Sequence, residues 1–499
     1  MSHKNNALRL HANDNVATAV CEIKQAEMLR IEELEIPSKN DIPAGHKIAL
    51  RKIETGENII KYGWPIGHAK TTIATGEWVH EHNVETNLSG KLDYRYKPEL
   101  QPVATSDERV TFQGFIRNNG DIGIRNEIWI VPLVGCVNEV ARTVAQRMNR
   151  ELAETNIDGV YAWTHPYGCS QLGDDLQLTR KILASLVRHP NAAGVLVLGL
   201  GCENNTLDSF RQVLGESDPK RVKFLVSQDM EDEIESAMQI VHELVTYGKQ
   251  FRREPIAISR LRVGLECGGS DGFSGITANP LVGVFSDRLV ALDGTVVLSE
   301  VTEMFGAEEI LMKRCVDQHV FEKCVAMIND YKDYLIRYKQ PIDKNPSPGN
   351  KKGGLTTLEE KSLGCILKGG SSPIVDVLDY GELLKKAGLN LLTGPGNDLV
   401  SVTLLAASGA HLILFTTGRG TPLGSPVPTL KISTTSELAG RKKNWIDFDA
   451  GILLEGASTE ETSDRLFLQV LNVASGVERT RNEVNDFREI AIMKDGVTV

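Results

Sequence analysis

The densest run of chemically useful side chains in this sequence is Glu266–Pro280, Glu-Cys-Gly-Gly-Ser-Asp-Gly-Phe-Ser-Gly-Ile-Thr-Ala-Asn-Pro. Glycines at 268, 269, 272 and 275 let the backbone take positive φ and approach a ligand closely. Amides at the start of the helix expected next would face an anion, assisted by the helix dipole. Ser270, Asp271 and Asn279 are its substrate-binding candidates, with Cys267, Ser274 and Thr277 on the same turn. An ordinary surface loop can share this composition, but the layout recurs. Gly135-Cys136, Gly168-Cys169 and Gly201-Cys202 each follow a strand-like run, so with Cys267 four of the eight cysteines sit at like positions. Such a grouping places at least one thiol in a ligand site.

Other candidates surround these. His80-Glu81-His82 puts two imidazoles at i and i+2, on one face of a strand, where they can bind a divalent metal. His165, between a strand and Gly168-Cys169, is the natural acid/base group because imidazole titrates near neutrality. Lys361, Lys368 and Arg419 offer cations for a carboxylate, and Glu303, Asn397 and Glu203 lie on strand-end turns. A site of glycine turns, hydroxyls, amides, acids and a few cations suits a small polyhydroxy acid.

Competing chemistries lose ground. No Gly-x-x-x-x-Gly-Lys-Ser/Thr loop and no intact Gly-x-Gly-x-x-Gly is present. A formal charge of −11 argues against nucleic-acid binding. No apolar run reaches the ~20 residues of a membrane span, and the N-terminus has no signal core, which points to a cytoplasmic protein. Without a CxxC pair, a zinc ribbon or disulfide scaffold is not indicated.

The elements that must position these groups fall into three parts. Residues 1–96 are rich in short β runs and carry a repeat, Ile53–Gly63 against Ile73–Asn83, each with a Thr-Gly-Glu turn. Residues 97–110 read as a linker. A hairpin turning at Asn118-Asn119-Gly120 then leads into alternating strands and helices, expected as one α/β unit over 111–255 and a second over 256–499. Both predict mainly parallel sheets with ligands at the carboxyl ends of the strands. Residues 339–358 form a long irregular insertion, expected as a lid or binding loop.

Gly45-His46-Lys47-Ile48-Ala49, Lys61-Tyr62-Gly63 and Val79-His80-Glu81-His82-Asn83 resemble the SAF (β-clip) module of the altronate/galactarate dehydratase family. Tyr167–Asp175, Gly201–Asn205, Glu266–Pro280, Asn345–Asn350, Lys361–Cys365 and Thr417–Pro422 are similar to the main body of that family, so the likeness covers essentially the whole chain. The resemblance implies an iron(II)- or manganese-assisted hydro-lyase, acting as a homodimer, that converts D-altronate to 2-dehydro-3-deoxy-D-gluconate and water in hexuronate catabolism. The residue roles are inferred from the reaction: His165, Glu303 and Lys368 for proton transfer; Ser270, Asp271, Asn279, Lys361, Asn397 and Arg419 for substrate; His80, His82, Glu203 and Cys169 for the metal. Galactarate or another hydroxy acid is the alternative substrate. A non-catalytic sugar-acid sensor and an iron–sulfur protein using Cys136, Cys169, Cys202 and Cys267 are the alternatives of other classes.

Overall fold

The computed structural model describes residues 5–31, 34–102, 108–152 and 155–496, so part of the expected linker, 103–107, lies outside the described residues. The amino-terminal part is all β. Ala7–Leu8, Val16–Ala19, Lys47–Ala49 and Trp78–Val79 make one antiparallel sheet, and Asn58–Lys61, Trp64–Ala69 and Val84–Glu85 a second. The internal repeat has a physical basis. Ile53 and Ile73 pair backbone to backbone, and Glu57 and Glu77 close their turns by accepting the N–H of Glu54 and Ala74. A third, degenerate copy escaped the sequence reading: Glu27 accepts the N–H of Lys24 in the same way, beside the Ile23–Ile42 bridge.

Two parallel sheets follow. β1 (Glu127–Pro132), β2 (Gly159–Ala162), β3 (Ala192–Gly199) and β4 (Val222–Val226) lie in the order β2-β1-β3-β4. β1 and β3 are buried along their whole length, which their unbroken apolar runs require of central strands covered on both faces. The larger sheet contains β5 (Arg262–Cys267), β6 (Thr295–Leu298), β7 (Ile374–Leu378), β8 (Gly388–Leu392), β9 (Leu412–Thr417), β10 (Thr429–Ser433) and β11 (Phe448–Asp449). Its order is β7-β8-β6-β5-β9-β10-β11, parallel throughout. The chain reverses its direction of travel between β1 and β3, and again between β5 and β9. Those are the two switch points at which such sheets hold ligands. The expected hairpin forms as Thr111–Ile116 against Ile122–Gly123, and its first strand also pairs with Arg253–Ala257.

The insertion at 339–358 is more ordered than its composition suggests. Pro348–Lys352 is a short helix with a Ser347/Asn350 capping box, and the segment lies across the carboxyl end of β5. Asn350 Nδ2 donates to Ser270 O at 2.8 Å, and the Gly272 amide donates to Gly353 O at 2.8 Å. The small β module docks on the next helix, Leu358–Cys365. Lys47 Nζ and Lys61 Nζ both meet the buried Glu360 carboxylate, at 2.7 and 2.9 Å, while Thr86 and the Asn87 amide donate to Glu359. Replacing Glu360 by Ala leaves two ammonium groups buried without their anion. The expected cost is ~3–5 kcal/mol of unfolding free energy, read by chemical denaturation.

Candidate active site

The second switch point holds a buried ionic cluster assembled from four stretches of chain. β5 ends in Glu266 and Cys267; β6 is followed by Glu300 and Glu303; the helix Leu358–Cys365 contributes Lys361 and Cys365; Lys368 follows it, and Asp398 opens the helix Asp398–Ala407. Lys361 and Cys365, one helical turn apart, share a face. Lys361 Nζ lies 2.5 Å from Glu303 Oε1 and Lys368 Nζ 3.7 Å from Glu300 Oε2. The Cys365 and Cys267 thiols reach Glu303 Oε2 at 2.9 and 3.2 Å and stand 3.4 Å from each other. The close approach needs Gly268, because a Cβ there would fall 1.9 Å from Asp398 Oδ2. Glu300 holds φ +70°, a left-handed conformation rare for a residue with a Cβ and characteristic of functional sites.

The electrostatics are unbalanced. Four carboxyl groups, Glu266, Glu300, Glu303 and Asp398, face two lysines. Glu303 keeps a depressed pKa although burial works against it, because Lys361 and Lys368 hold its charge. Glu300 is pushed up to about 8 by burial and by Glu303, and Asp398 to about 6 by the same two causes. Glu266 is driven well up by burial and by Glu300. Glu266 Oε1 and Glu300 Oε1, with the hydroxyls of Ser270, Ser299 and Ser362, are buried without a hydrogen-bond partner. Buried oxygens are rarely left so unless something else binds them. Glu266, Glu300 and Asp398 bring one oxygen each within 4.8 Å of one another, and Cys267, Glu303 and Cys365 form a second such group. The three-carboxylate set fits a hard or borderline divalent ion, which would balance the excess charge.

Of the expected site residues, Glu303, Lys361 and Lys368 are in this cluster, and Ser270 adjoins it on the Glu266–Pro280 turn with its hydroxyl unpartnered. Several others have structural work instead. His165 is buried with both ring nitrogens engaged, Nε2 on Pro132 O at 2.8 Å and Nδ1 on the Tyr167 amide, and burial lowers its pKa to about 4. It orients a loop and is not free to move a proton. Asn279 links Gly364 O to Thr416 Oγ1, and Asn397 caps the helix it precedes. Both Asp271 oxygens are taken, by the Phe273 amide, Ser274 and Thr434. Arg419 is exposed on the rim, its amide donating to Gly269 O.

The expected metal shell of His80, His82, Glu203 and Cys169 does not assemble. Among the described residues, no group of three or more donors within 4.8 Å contains any of them. The strand ends at Val79, and His80–Asn83 forms a turn closed by the Asn83 side chain on the His80 amide, so the two histidines do not share a strand face. His80 stacks on Trp78 while His82 is exposed. Glu203 spends both oxygens on the amides of Leu200 and Gly201. The residues missed were Glu266, Glu300, Asp398 and Cys365. Two signals for them were legible: Glu directly before the strand-end Cys267, and the Lys-x-x-x-Cys spacing that places 361 and 365 on one helix face.

The comparisons with known proteins fall on this architecture. Residues 5–87 match the altronate/galactarate dehydratase SAF domain, 114–249 the second domain of D-galactarate dehydratase/altronate hydrolase, and 258–498 the C-terminal domain of D-galactarate/altronate dehydratase. The chain belongs to the D-galactarate/altronate dehydratase family. It is 53% identical over 498 residues to altronate dehydratase of Escherichia coli (strain K12), covering 99% of each chain. To altronate dehydratase of Bacillus subtilis (strain 168) it is 52% identical, again over 99% of each. Galactarate dehydratase (L-threo-forming) of Escherichia coli (strain K12) is more distant, at 38% identity over 95% of this chain and 93% of the relative.

A carboxyl whose folded pKa is raised contributes stability that is complete below its unfolded value, about 4, and lost as pH climbs through the folded one. For the metal-free protein, thermal stability is therefore expected to fall from about pH 4 upward, first as Asp398 ionises and then as Glu300 does, levelling off above about pH 8. Added divalent ion should restore it, and more so at the higher pH because fewer protons must be displaced. Differential scanning calorimetry with and without metal checks both signs.

Proposed function

We propose that this chain dehydrates D-altronate to 2-dehydro-3-deoxy-D-gluconate and water. The observation that carries the reading is the buried cluster of carboxylates, lysines and unpartnered oxygens at the sheet's switch point, in a chain matched end to end by altronate dehydratases. The reaction needs a base at C2, positive charge for the enediolate that follows, and a proton for the departing C3 hydroxyl. Glu303, kept ionised by its lysines, takes the C2 proton. Lys361, with Arg419 at the rim, holds the substrate carboxylate, and the protonated Lys368 gives its proton to the leaving hydroxyl. Glu266, Glu300 and Asp398 would hold the divalent ion, iron(II) or manganese(II), which when bound supplies Lewis acidity to the substrate oxygens. Asn345, which contacts both Glu303 and Lys361, brings the 339–358 segment over the bound sugar acid and limits water.

The enzyme works on a small sugar acid, in the cytoplasm, as a homodimer; the family resemblance and the acidic composition support this. Among the described residues, no helix is long and apolar enough to cross a membrane. Glu303→Gln is expected to lower kcat by ~10²–10³ or more with little change in KM, as for loss of a group used in the transition state. Lys361→Ala should chiefly raise KM. Both are read as formation of the 2-oxo acid from D-altronate, with galactarate and sulfolactate as parallel substrates. Faster turnover of either alternative would displace the assignment.

A further inference from the structure

The first switch point carries a second set of metal-binding side chains, independent of the altronate reading. Cys136 follows β1, Cys169 follows β2 and Cys202 follows β3, one thiol at the carboxyl end of each of three neighbouring strands. All three are free and exposed. That is unusual for a residue ordinarily buried, and four other cysteines of this chain are buried.

The three loops are tied to one another in every pairing. The Gly135 amide donates to Tyr167 O at 2.8 Å, and Asn138 Nδ2 to His165 O at 2.9 Å. The Asn205 amide donates to Gly168 O at 3.0 Å, and the Ser170 amide to Asn204 Oδ1 at 2.7 Å. Asn205 Nδ2 closes the set on Leu133 O at 3.0 Å. Gly168 passes so near β1 that a Cβ would lie 2.0 Å from Leu133 O, so the residue before Cys169 has no room for a side chain. His165 and Glu203 complete the scaffold: each spends its polar atoms holding one of these loops in shape. Gln228 Nε2 lies 3.6 Å from Cys202 Sγ, where it can donate an N–H to the sulfur.

We infer that Cys136, Cys169 and Cys202 hold a [4Fe–4S] cluster through three of its irons, leaving the fourth open to an oxygen ligand such as a hydroxy acid. A single tetrahedral ion draws its thiolates close together at ~2.3 Å from the metal. Here the three sulfurs are not all within 4.8 Å of one another, so they do not form the compact set that a single ion needs. Glu203, next to Cys202, does not complete the set, since both its oxygens are already committed. Two ferrous and two ferric ions with four sulfides sum to a core of charge +2; the three thiols enter as thiolates, releasing three protons. N–H donors to the sulfurs and solvent exposure then set its potential. Cys267 is not a ligand, because it is buried against Cys365 and Glu303 in the other sheet.

The test is anaerobic reconstitution of the full chain with equal ferrous and ferric iron and sulfide, followed by absorption and electron paramagnetic resonance spectroscopy. Expected are a broad sulfur-to-iron band and about four iron and four acid-labile sulfide per chain. Cys136→Ser, Cys169→Ser and Cys202→Ser should each lose most of the band while keeping the wild-type circular dichroism, and Cys267→Ser and Cys365→Ser should retain it. A wild-type protein that stays colourless, or a band surviving in the triple variant, would overturn the inference. Failure of these spectra leaves the altronate assay untouched, and the reverse holds as well.

Discussion

The Glu360 carboxylate, shared by Lys47 and Lys61, couples the two halves of this molecule. All three side chains are fully buried, and Lys47 also donates to Gly354 O while Thr356 donates to Glu360. A buried pair is worth little when both ions are replaced together, but a partner removed alone is costly. Here one anion serves two cations from two strands of the small module, so the module cannot shift without stranding a charge. The neighbour of Glu360 in sequence is Lys361, the cation on Glu303. The docking contact and the lysine that pairs with Glu303 therefore sit on adjacent positions of one eight-residue helix, and the position of one specifies that of the other.

The active cluster departs from the usual economy of protein interiors. Four acids against two lysines cannot all ionise in a dry site without a further cation, and the raised pKa values of Glu266, Glu300 and Asp398 express that frustration. Only Glu303, the acid closest to Lys361, escapes it. Neighbouring carboxyl groups whose environments push their pKa values apart can take different roles in one site. The cost is met by scaffold: β5 and β6 are buried along nearly their whole length, and the left-handed turn at Glu300 is tied to its neighbours by the Val301 amide on Gly394 O and by the Cys267 amide on Glu300 Oε2.

The parallel strands were legible because their apolar runs are long and end in glycine turns; Val222–Val226 matches residue for residue. β7 was not, since Asp376 interrupts a run of only five residues. The insertion at 339–358 looked irregular because its order comes from side-chain bonds by Asn345 and Asn350, which leave no periodic trace. The site was half visible. Lysines and a glutamate among small residues stood out, whereas Asp398 acquires meaning only when the helix Asp398–Ala407 is brought against β5. His80 and His82 misled for a local reason: the pairing of Trp78–Val79 stops one residue too soon.

The four strand-end cysteines looked equivalent in sequence and are not. Cys267 follows Glu directly, without a glycine turn between, and so remains within β5, buried beside a second thiol. Each of the others comes directly after a glycine and is carried beyond its strand into solvent. The presence or absence of that one glycine separates an enclosed acidic centre, which excludes water, from an open sulfur-lined edge. Two doubly wound sheets in one chain thus have two switch points with opposite character, one built around charge in a dry interior and one around soft ligands at the surface. Iron chemistry is compatible with both, and the donor atoms at each decide which form of it the site can hold.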